Sequence, residues 1–370
     1  GPGLMGFNCG IVGLPNVGKS TLFNALTSTA AAEAENYPFC TVEPNTGRVA
    51  VPDPRLDELA RLAGSARVLP TQLEFVDIAG LVRGASKGEG LGNQFLGHIR
   101  EVDAIVHVLR CFAGGDVTHV EGDVNPLRDR DTVETELMLA DLESLEKRAE
   151  AATKKARSGN KEAKDELDLM TGVLEVLREG KPARSLGGTS EELQALARLQ
   201  LITSKPVLYV CNVDEDAAAA GNGFSARVAD RATKENAGCV VISASIEAEV
   251  VGLGDEVERA EYLASMGLGK TGLARIIHAG YALLDLITFF TATSKEARAW
   301  TVRRGTLAPG AAGVIHTDFE KGFICAETIS YTDYVACGGE QGARDSGKMR
   351  QEGKEYVVID GDVILFRFNV

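Results

Sequence analysis

The residues with the clearest chemical potential form a glycine-rich segment near the N-terminus. Residues 13–20 read Gly-Leu-Pro-Asn-Val-Gly-Lys-Ser, which fits G-x-x-x-x-G-K-[ST] between an apolar strand pattern and an apolar helical pattern. In such a loop, backbone N–H groups surround a β-phosphate, the lysine reaches the β/γ oxygens and the serine ligates magnesium. A glycine turn that only links strand to helix is the alternative. The predicted nucleotide contacts are Asn16, Val17, Gly18, Lys19, Ser20 and Thr21.

A second motif, Asp77-Ile78-Ala79-Gly80, follows a predicted strand and fits D-x-x-G. At this point a P-loop enzyme places the acid that holds magnesium through water and the glycine whose N–H meets the γ-phosphate. We therefore predict metal ligation by Ser20, Asp77 and Thr41, the last closing over the metal from the first switch segment. Lys19 and Gly80 are predicted to act on the γ-phosphate. The glycine-rich residues 84–97 fit a loop that the γ-phosphate orders; the alternative is a surface loop that does not respond to nucleotide.

The base-binding motif departs from that of GTPases, in which a strand ends in N-K-x-D and the aspartate accepts two hydrogen bonds from guanine. Here the corresponding residues are Asn212, Val213 and Glu215, so the lysine is absent and the acid is one methylene longer. Losing a buried bidentate pair costs about 1 to 3 kcal/mol, which removes a roughly ten- to hundredfold preference. We therefore predict adenine. The loop beside the base is predicted to consist of Ser243, Ala244 and Ser245.

The residue that would orient the attacking water departs from the GTPase pattern, because Leu81 stands where many GTPases carry a glutamine. Leucine cannot hydrogen-bond to water, so either turnover is slow or another group serves, and histidine is the natural substitute. His119 follows a strand end on the correct side of the predicted sheet. His107 lies mid-strand and is predicted to be in the core. The remaining histidines lie in segments with a helix-like or strand-like pattern; they are His98, His278 and His316.

Length and composition indicate a globular protein of two or three domains, with 370 residues and a net charge of −14. That charge argues against a surface that coats nucleic acid, although a local basic patch is allowed. Seven scattered cysteines suit reduced thiols, and no apolar run is long enough for a membrane span. Alternating strand and helix patterns predict a parallel sheet covered by helices. Its predicted strands are Asn8–Val12, Gln72–Val76, Ala104–Cys111, Val207–Cys211 and Cys239–Ile242.

Two further regions differ in character from this α/β pattern. Residues 131–204 carry leucines at helical spacing and predict two antiparallel helices with a turn near 158–161. Around that turn, residues 147–164 hold seven Lys or Arg side chains against two Glu. After residue 284 the pattern predicts a small α+β domain. Its predicted strands are 286–293, 299–302, 313–316 and 363–368, with one helix near 319–331.

Together, the P-loop, the residues 77–82 running into 87–93, the Asn212–Glu215 element and the segment 316–323 (His-Thr-Asp-Phe-Glu-Lys-Gly-Phe) closely resemble the YchF/Obg-like ATPase family. The resemblance implies an α/β P-loop domain with a mainly parallel sheet, formed by residues 5–130 and 205–283. It also implies an inserted α-helical coiled-coil hairpin at 131–204. A C-terminal α+β domain of β-grasp (TGS) type would occupy 284–370.

The resemblance further implies binding of ATP in preference to GTP, with Mg²⁺, and a hydrolytic histidine that matches His119. Asn16 matches an asparagine that helps to bind K⁺ in related proteins. The expected partner is the ribosome, through its large subunit, or RNA, contacted by the hairpin and the TGS domain of a cytoplasmic monomer without a membrane partner. Two alternatives remain open: a GTPase of the same fold, and a nucleotide-gated RNA- or ribosome-binding module with negligible turnover.

Overall fold

The structure, a computed structural model, describes residues 7–33, 35, 42–43, 45–78, 92–114 and 123–369. These residues form two β-sheets and their covering helices. The strands are β1 (Phe7–Val12), β2 (Val42–Glu43), β3 (Thr46–Ala50), β4 (Arg67–Leu69), β5 (Gln72–Asp77), β6 (Ala104–Arg110), β7 (Val207–Asn212), β8 (Gly238–Ile242), β9 (Leu286–Ala292), β10 (Glu296–Arg303), β11 (Phe323–Ile329), β12 (Arg350–Glu352) and β13 (Val363–Phe368). The helices are α1 (Lys19–Glu33), α2 (Pro54–Ala63), α3 (Gly92–Arg100), α4 (Pro126–Ala156), α5 (Lys161–Arg178), α6 (Ser190–Arg198), α7 (Gly223–Glu235), α8 (Ala244–Gly252), α9 (Glu256–Ser265), α10 (Gly272–Leu283), α11 (Ala308–Ile315), α12 (Thr317–Lys321), α13 (Tyr331–Ala336) and α14 (Glu340–Asp345). None of these helices combines the length and apolar character that a bilayer span requires.

The first sheet has seven strands in the order β2-β3-β5-β1-β6-β7-β8. Strands β5, β1, β6, β7 and β8 run parallel, whereas β3 and β2 add an antiparallel edge. All five strands predicted for this sheet are confirmed to within one residue at each end. Strand β6 is buried along its whole length, as expected for a central strand that helices cover on both faces. The carboxyl ends of the parallel strands therefore meet at one edge, where ligands bind in such folds.

The second sheet has six strands in the order β12-β11-β13-β9-β10-β4. Two predictions for this region are wrong. Residues 313–316 are not a strand, because the helix α11 runs to Ile315 and packs its small buried side chains, Ala308, Ala311 and Ala312, into the core of this sheet. The predicted helix near 319–331 is mostly strand β11, which pairs with both β12 and β13. Short apolar runs do not distinguish strand from helix by periodicity, which is the source of both errors.

Residues 54–69 lie far from the second sheet in sequence but pack against it. Strand β4 pairs with β10, with Val68 opposite Ala297, and α2 buries Leu56 and Leu59 against Phe290. The sequence division placed these residues within 5–130. Here the P-loop half of the chain contributes an edge strand and a helix to the C-terminal sheet, so the two units share one packed boundary. The remaining predicted boundaries stay a prediction.

The inserted helices leave the first sheet after β6 and return to it before β7. Helix α4 begins where Asn125 caps the N–H of Arg128, and α5 begins where Asn160 caps the N–H of Glu162. The two helices pack through a shared apolar seam that includes Leu145, Val173 and Leu174. The turn between them, at residues 157–160, overlaps the predicted one, so the helical hairpin is confirmed.

A buried polar network fixes this hairpin to the sheet. Arg130 of α4 donates to the Tyr209 hydroxyl of β7 at 3.0 Å and to Glu235 of α7 at 2.6 Å, while the Tyr209 hydroxyl donates to Glu235 at 2.8 Å. At the return, the Asp141 carboxylate accepts hydrogen bonds from the backbone N–H groups of Ile202 and Thr203. Because every charge in this network has a hydrogen-bonded partner, the root of the hairpin is held rigidly.

His107 lies in the middle of β6, 2% exposed, and is part of the core as predicted. Burial lowers the pKa of His107 from 6.5 to about 3, with the positive charges of Arg130 and Arg184 adding to the effect. The ring is therefore neutral in the folded protein at ordinary pH. Such a histidine supports the sheet and is not available to activate water at its edge.

We predict that His107 makes the protein less stable in acid. Between pH 6.5 and pH 3 the unfolded chain binds a proton that the folded chain excludes, so the free energy of unfolding falls by up to about 1.4 kcal/mol per pH unit as pH drops. Urea titrations from pH 7 to pH 4 measure how the free energy of unfolding changes with pH. In His107→Leu this slope should be smaller by the contribution of one proton, about 1.4 kcal/mol per pH unit. The exposed His98→Gln serves as control and should keep the wild-type slope. Equal slopes in His107→Leu and wild type would contradict the assignment.

Candidate nucleotide-binding site

The P-loop connects β1 to α1 and contains two residues in the left-handed backbone region, Asn16 (φ 66°) and Gly18 (φ 94°). A Cβ atom at Gly18 would lie 2.1 Å from the side-chain nitrogen of Asn212, and one at Gly13 would lie 3.0 Å from the carbonyl oxygen of Val108. Both positions therefore require glycine for close backbone approach. The loop ends at Lys19, the first residue of a 15-residue helix, so its amides converge on the positive end of α1.

Asn212, at the end of β7, ties three loops together. Its Nδ2 atom donates to the carbonyl oxygen of Val17 at 3.0 Å, and its Oδ1 atom accepts from the N–H of Ala244 at 2.9 Å. Its own carbonyl oxygen accepts from the N–H of Cys111 at 2.8 Å. Asn212 is buried, so both ends of its amide serve the protein backbone. It shapes the site by joining the P-loop to the loop that is predicted to lie beside the base.

Lys19 and Asp77 lie together at the phosphate end of the site. The Lys19 ammonium group contacts the Asp77 carboxylate and lies 3.5 Å from the carbonyl oxygen of Ile78. Ser20 and Thr21 are exposed on the first turn of α1. The described residues contain no cluster of three or more His, Cys, Asp or Glu side chains that could hold a metal alone. One hydroxyl and one carboxylate suit Mg²⁺, which usually completes its shell with water and substrate phosphates.

The loops enclose a cavity of about 910 Å³ at the carboxyl edge of the first sheet. This volume falls in the range of small-molecule and cofactor sites. The cavity joins the phosphate loop to the ends of β6, β7 and β8. Its lining residues are Gly13, Leu14, Pro15, Asn16, Gly18, Lys19, Ser20, Thr21, Asp77, Phe112, Asn212, Val213, Asp214, Glu215, Ser243, Ala244, Ser245, Ala248 and Glu249.

The end of the cavity predicted to hold the base is lined by Val213, Glu215 and the Ser243–Ser245 loop. Val213 is buried and cannot supply the extended side chain with which the lysine of N-K-x-D covers a guanine. The Glu215 carboxylate accepts a hydrogen bond from the Ser245 hydroxyl at 2.7 Å, which anchors the acid beside that loop. Ser243 accepts from the N–H of Ile246 at 3.3 Å and so begins α8. Glu215 can still accept a hydrogen bond, but its side chain is one methylene longer than that of aspartate.

The structure thus brings together most of the predicted site. Of the predicted residues, Thr41, Gly80 and His119, together with Leu81, lie outside the described residues. Val17 is buried, and its carbonyl oxygen bonds to Asn212. The sequence reasoning missed Phe112, a half-buried aromatic residue on the cavity wall. It could have been found, since it follows the carboxyl end of β6 as Asn212 ends β7.

A second Gly-Lys-Thr sequence, at residues 269–271, does not form a phosphate site. Thr271 caps α10, and the N–H groups of Gly272 and Leu273 donate to the Glu247 carboxylate at 2.6 and 3.3 Å. Burial raises the pKa of Glu247, while these two N–H groups and nearby Arg275 oppose that effect. The helix N-terminus is therefore occupied by an acid of the protein itself.

Comparison with known proteins decides the family. Residues 8–141 match a family described as 50S ribosome-binding GTPase, and residues 286–369 match YchF-GTPase_C, described as a protein of unknown function (DUF933). The chain is 58% identical to a protein named ribosome-binding ATPase YchF of Haemophilus influenzae, over 99% of this chain and 100% of that protein. The chain belongs to the YchF family. Equally named relatives of this YchF-family protein from Escherichia coli O157:H7 and Bacillus subtilis are 55% and 52% identical, with the same coverage.

Solved structures agree with the fold of this YchF-family protein. The Schizosaccharomyces pombe YchF GTPase superposes with a TM-score of 0.87 at 38% identity, covering 98% of this chain and 97% of that chain. A GTP-binding protein from Pyrococcus horikoshii OT3 superposes with a TM-score of 0.62 at 20% identity, covering 98% and 100%. The second likeness concerns the fold alone. The α/β P-loop domain with a helical insertion and a C-terminal α+β domain is thereby confirmed.

We predict that Gly18→Ala weakens ADP binding at least about tenfold, which is about 1.4 kcal/mol. The added methyl group would displace Asn212 and strain a backbone at φ 94°. Gly64→Ala is the matched control, because Gly64 also has a positive φ, 63°, but nothing lies within 4 Å of its added Cβ. Calorimetric titration with ADP distinguishes the two variants. Equal ADP affinity of both variants would contradict the proposed packing of the loop.

Proposed function

We propose that this YchF-family protein is an ATP-binding and ATP-hydrolysing switch that associates with the ribosome. The proposal rests on one cavity. The P-loop lines one end of this cavity, and residues 212–215, which lack the N-K-x-D pattern, line the other. The relatives with more than 50% identity over the full length are named ribosome-binding ATPases, which supports both parts of the proposal. A GTPase of the same fold is the second candidate, because the S. pombe relative is titled a GTPase.

The phosphate end supports a triphosphate substrate. Backbone amides from Asn16 to Thr21 would surround the phosphates, and the Lys19 ammonium group would reach the β/γ oxygens. The cation and the anion of this corner are neighbours, since the Lys19 ammonium group already contacts the Asp77 carboxylate. Ser20, Thr41 and Asp77 would hold magnesium, which neutralises charge on the phosphate oxygens when bound. We further propose K⁺ binding at Asn16.

Hydrolysis is proposed to involve Gly80 and His119, on the strength of the family resemblance and their place in the sequence. Gly80 would offer its N–H to the γ-phosphate, and His119 would act on the attacking water because Leu81 cannot. His119 belongs to the segment that follows β6, and β6 ends at the wall of the cavity. His107, which lies within β6, is excluded by its burial in the sheet.

The base end supports adenine over guanine. A guanine needs a carboxylate that accepts from N1–H and the 2-amino group together, whereas adenine offers only its 6-amino group as a donor on that edge. Glu215 is longer than the required aspartate and is anchored by Ser245 at 2.7 Å. Val213 adds an apolar, buried contact in place of a lysine. The wall can therefore satisfy one donor of adenine more readily than two donors of guanine.

We predict that the wild-type protein binds ADP at least about tenfold more tightly than GDP. Glu215→Asp should narrow this ratio about threefold or more, because the shorter acid approaches the guanine-binding geometry. Glu249→Asp removes the same methylene from another exposed acid of the cavity rim and should leave the ratio unchanged. Calorimetry with both nucleotides measures the ratios. If the wild-type protein binds GDP as tightly as ADP, or more tightly, the adenine assignment is wrong.

The helical hairpin is proposed to carry the ribosome contact, with the C-terminal TGS domain. Its tip reverses the charge of an otherwise acidic protein, with seven Lys or Arg against two Glu over residues 147–164. Lys154 and Lys155 lie in the last turn of α4, Arg157 is the first residue of the turn that follows, and all three are exposed. Such a tip suits ribosomal RNA, which binds through its phosphates. We propose the large subunit as the partner, for a monomeric cytoplasmic protein.

We predict that neutralising the tip with Lys154→Gln, Lys155→Gln and Arg157→Gln weakens ribosome binding and flattens its dependence on salt. The matched control neutralises three exposed basic residues of the nucleotide domain, Arg227, Lys234 and Lys270, and changes the net charge equally. Cosedimentation with ribosomes at 50 to 200 mM salt, about the range in which counterion release is resolved, compares the two variants. An equal loss in both would mean that net charge, and not the tip, controls binding.

A further inference from the structure

Arg110, the last residue of β6, is buried beside the nucleotide cavity. Its guanidinium carbon lies 4.5 Å from the centroid of the Phe112 ring. The same group donates from Nε to the carbonyl oxygen of Phe112 and from Nη2 to the carbonyl oxygen of Gly114, each at 3.3 Å. One side chain thus holds the ring and two backbone carbonyls of the next four residues.

Hydrogen bonds to Asn212 and Asn222 hold the chain where it leaves the sheet after β6. The N–H of Cys111 donates to the carbonyl oxygen of Asn212 at 2.8 Å, and the Cys111 carbonyl oxygen accepts from the Asn222 side chain at 2.7 Å. Cys111 is therefore fixed on both sides. Beyond it, Gly114 takes a left-handed turn with φ 96°. The bonds from Arg110 extend the fixed part of the chain from Cys111 to Gly114.

We propose that Arg110 is a positioning residue for the nucleotide, acting through Phe112, an inference that rests on the proposed ATP-binding function. By stacking on the ring and bonding to its carbonyl oxygen, the guanidinium fixes Phe112 on the cavity wall. An aromatic ring held there is already ordered, so it can pack against a purine without a further loss of side-chain conformational entropy on binding. The phosphate contacts come from the P-loop, on a different strand, and do not depend on Arg110.

Only arginine has the shape for this task. A guanidinium is planar, so it stacks on a ring while its edge donates several hydrogen bonds in fixed directions. A lysine would place one compact charge at the end of a flexible chain and could not make the stack and both carbonyl contacts together. Methionine would fill a similar volume but donate nothing, leaving two carbonyl groups without their donor.

The test compares Arg110→Met and Arg110→Lys with wild type in binding ADP and in binding tripolyphosphate, which has phosphates but no base. Arg259→Met is the matched control, because Arg259 also donates from Nε to a backbone carbonyl oxygen, that of Leu253 at 2.7 Å, on a helix outside the described lining of the cavity. Calorimetry measures both affinities, and circular dichroism checks the fold. A second arm repeats Arg110→Met in a Phe112→Leu background.

We expect Arg110→Met to weaken ADP binding about tenfold, with tripolyphosphate affinity changed less than about twofold, and Arg110→Lys to fall between. In the Phe112→Leu background the effect of Arg110→Met should shrink to less than about twofold, because the two residues act as one unit. Unchanged ADP binding overturns the inference. Equal losses for ADP and tripolyphosphate also overturn it, since they indicate general support of the site.

Two outcomes separate this inference from the function on which it rests. If the wild-type protein does not bind ADP, the proposed function fails whatever Arg110 does. If the wild type binds ADP and Arg110→Met binds it equally, only the role of Arg110 fails. Should Arg110→Met not fold, Arg110→Lys and Phe112→Leu carry the same comparison, and undiminished ADP affinity in both overturns the inference.

Discussion

The amide of Asn212 is the contact on which the nucleotide site depends. It joins the P-loop at Val17 to the start of α8 at Ala244, and the backbone of the same residue holds the chain after β6 at Cys111. Because one buried side chain bonds to both loops, it fixes their relative position. The absence of a Cβ at Gly18 is what lets Asn212 approach so closely. A short amide between two backbones thus sets the distance between the P-loop and the loop that begins α8.

The rest of the protein is arranged around this sheet edge. The helical hairpin is inserted between β6 and β7, the two strands whose ends carry Phe112 and Asn212, and its root is fixed to Tyr209 of β7. The C-terminal sheet is joined to the nucleotide domain by β4 and α2. The proposed ribosome contact at the hairpin and the proposed nucleotide at the sheet edge would therefore act on neighbouring strands. This arrangement suits a switch whose partner and nucleotide influence each other.

Much of the site could be predicted because its residues occur in short, contiguous motifs at strand ends. The P-loop, Asp77 and Asn212 follow apolar strands that the sequence pattern identifies, and the carboxyl ends of parallel strands meet at one edge. Phe112 and Arg110 carry no motif, because their role comes from a stack and two carbonyl contacts within a loop. The role of Asn212 also needed the structure, since both of its partners lie far away along the chain.

The amino-acid sequence by itself determined the fold class, the P-loop, the helical hairpin and the family, because each is written in local periodicity or in a contiguous motif. The tertiary structure decided the assignment of α11 and β11, whose short apolar runs fit either helix or strand until a sheet selects one. It also decided that residues 54–69 complete the C-terminal sheet and that Glu247 fills the end of α10. These outcomes depend on contacts between residues distant in sequence, and local pattern carries no record of such contacts.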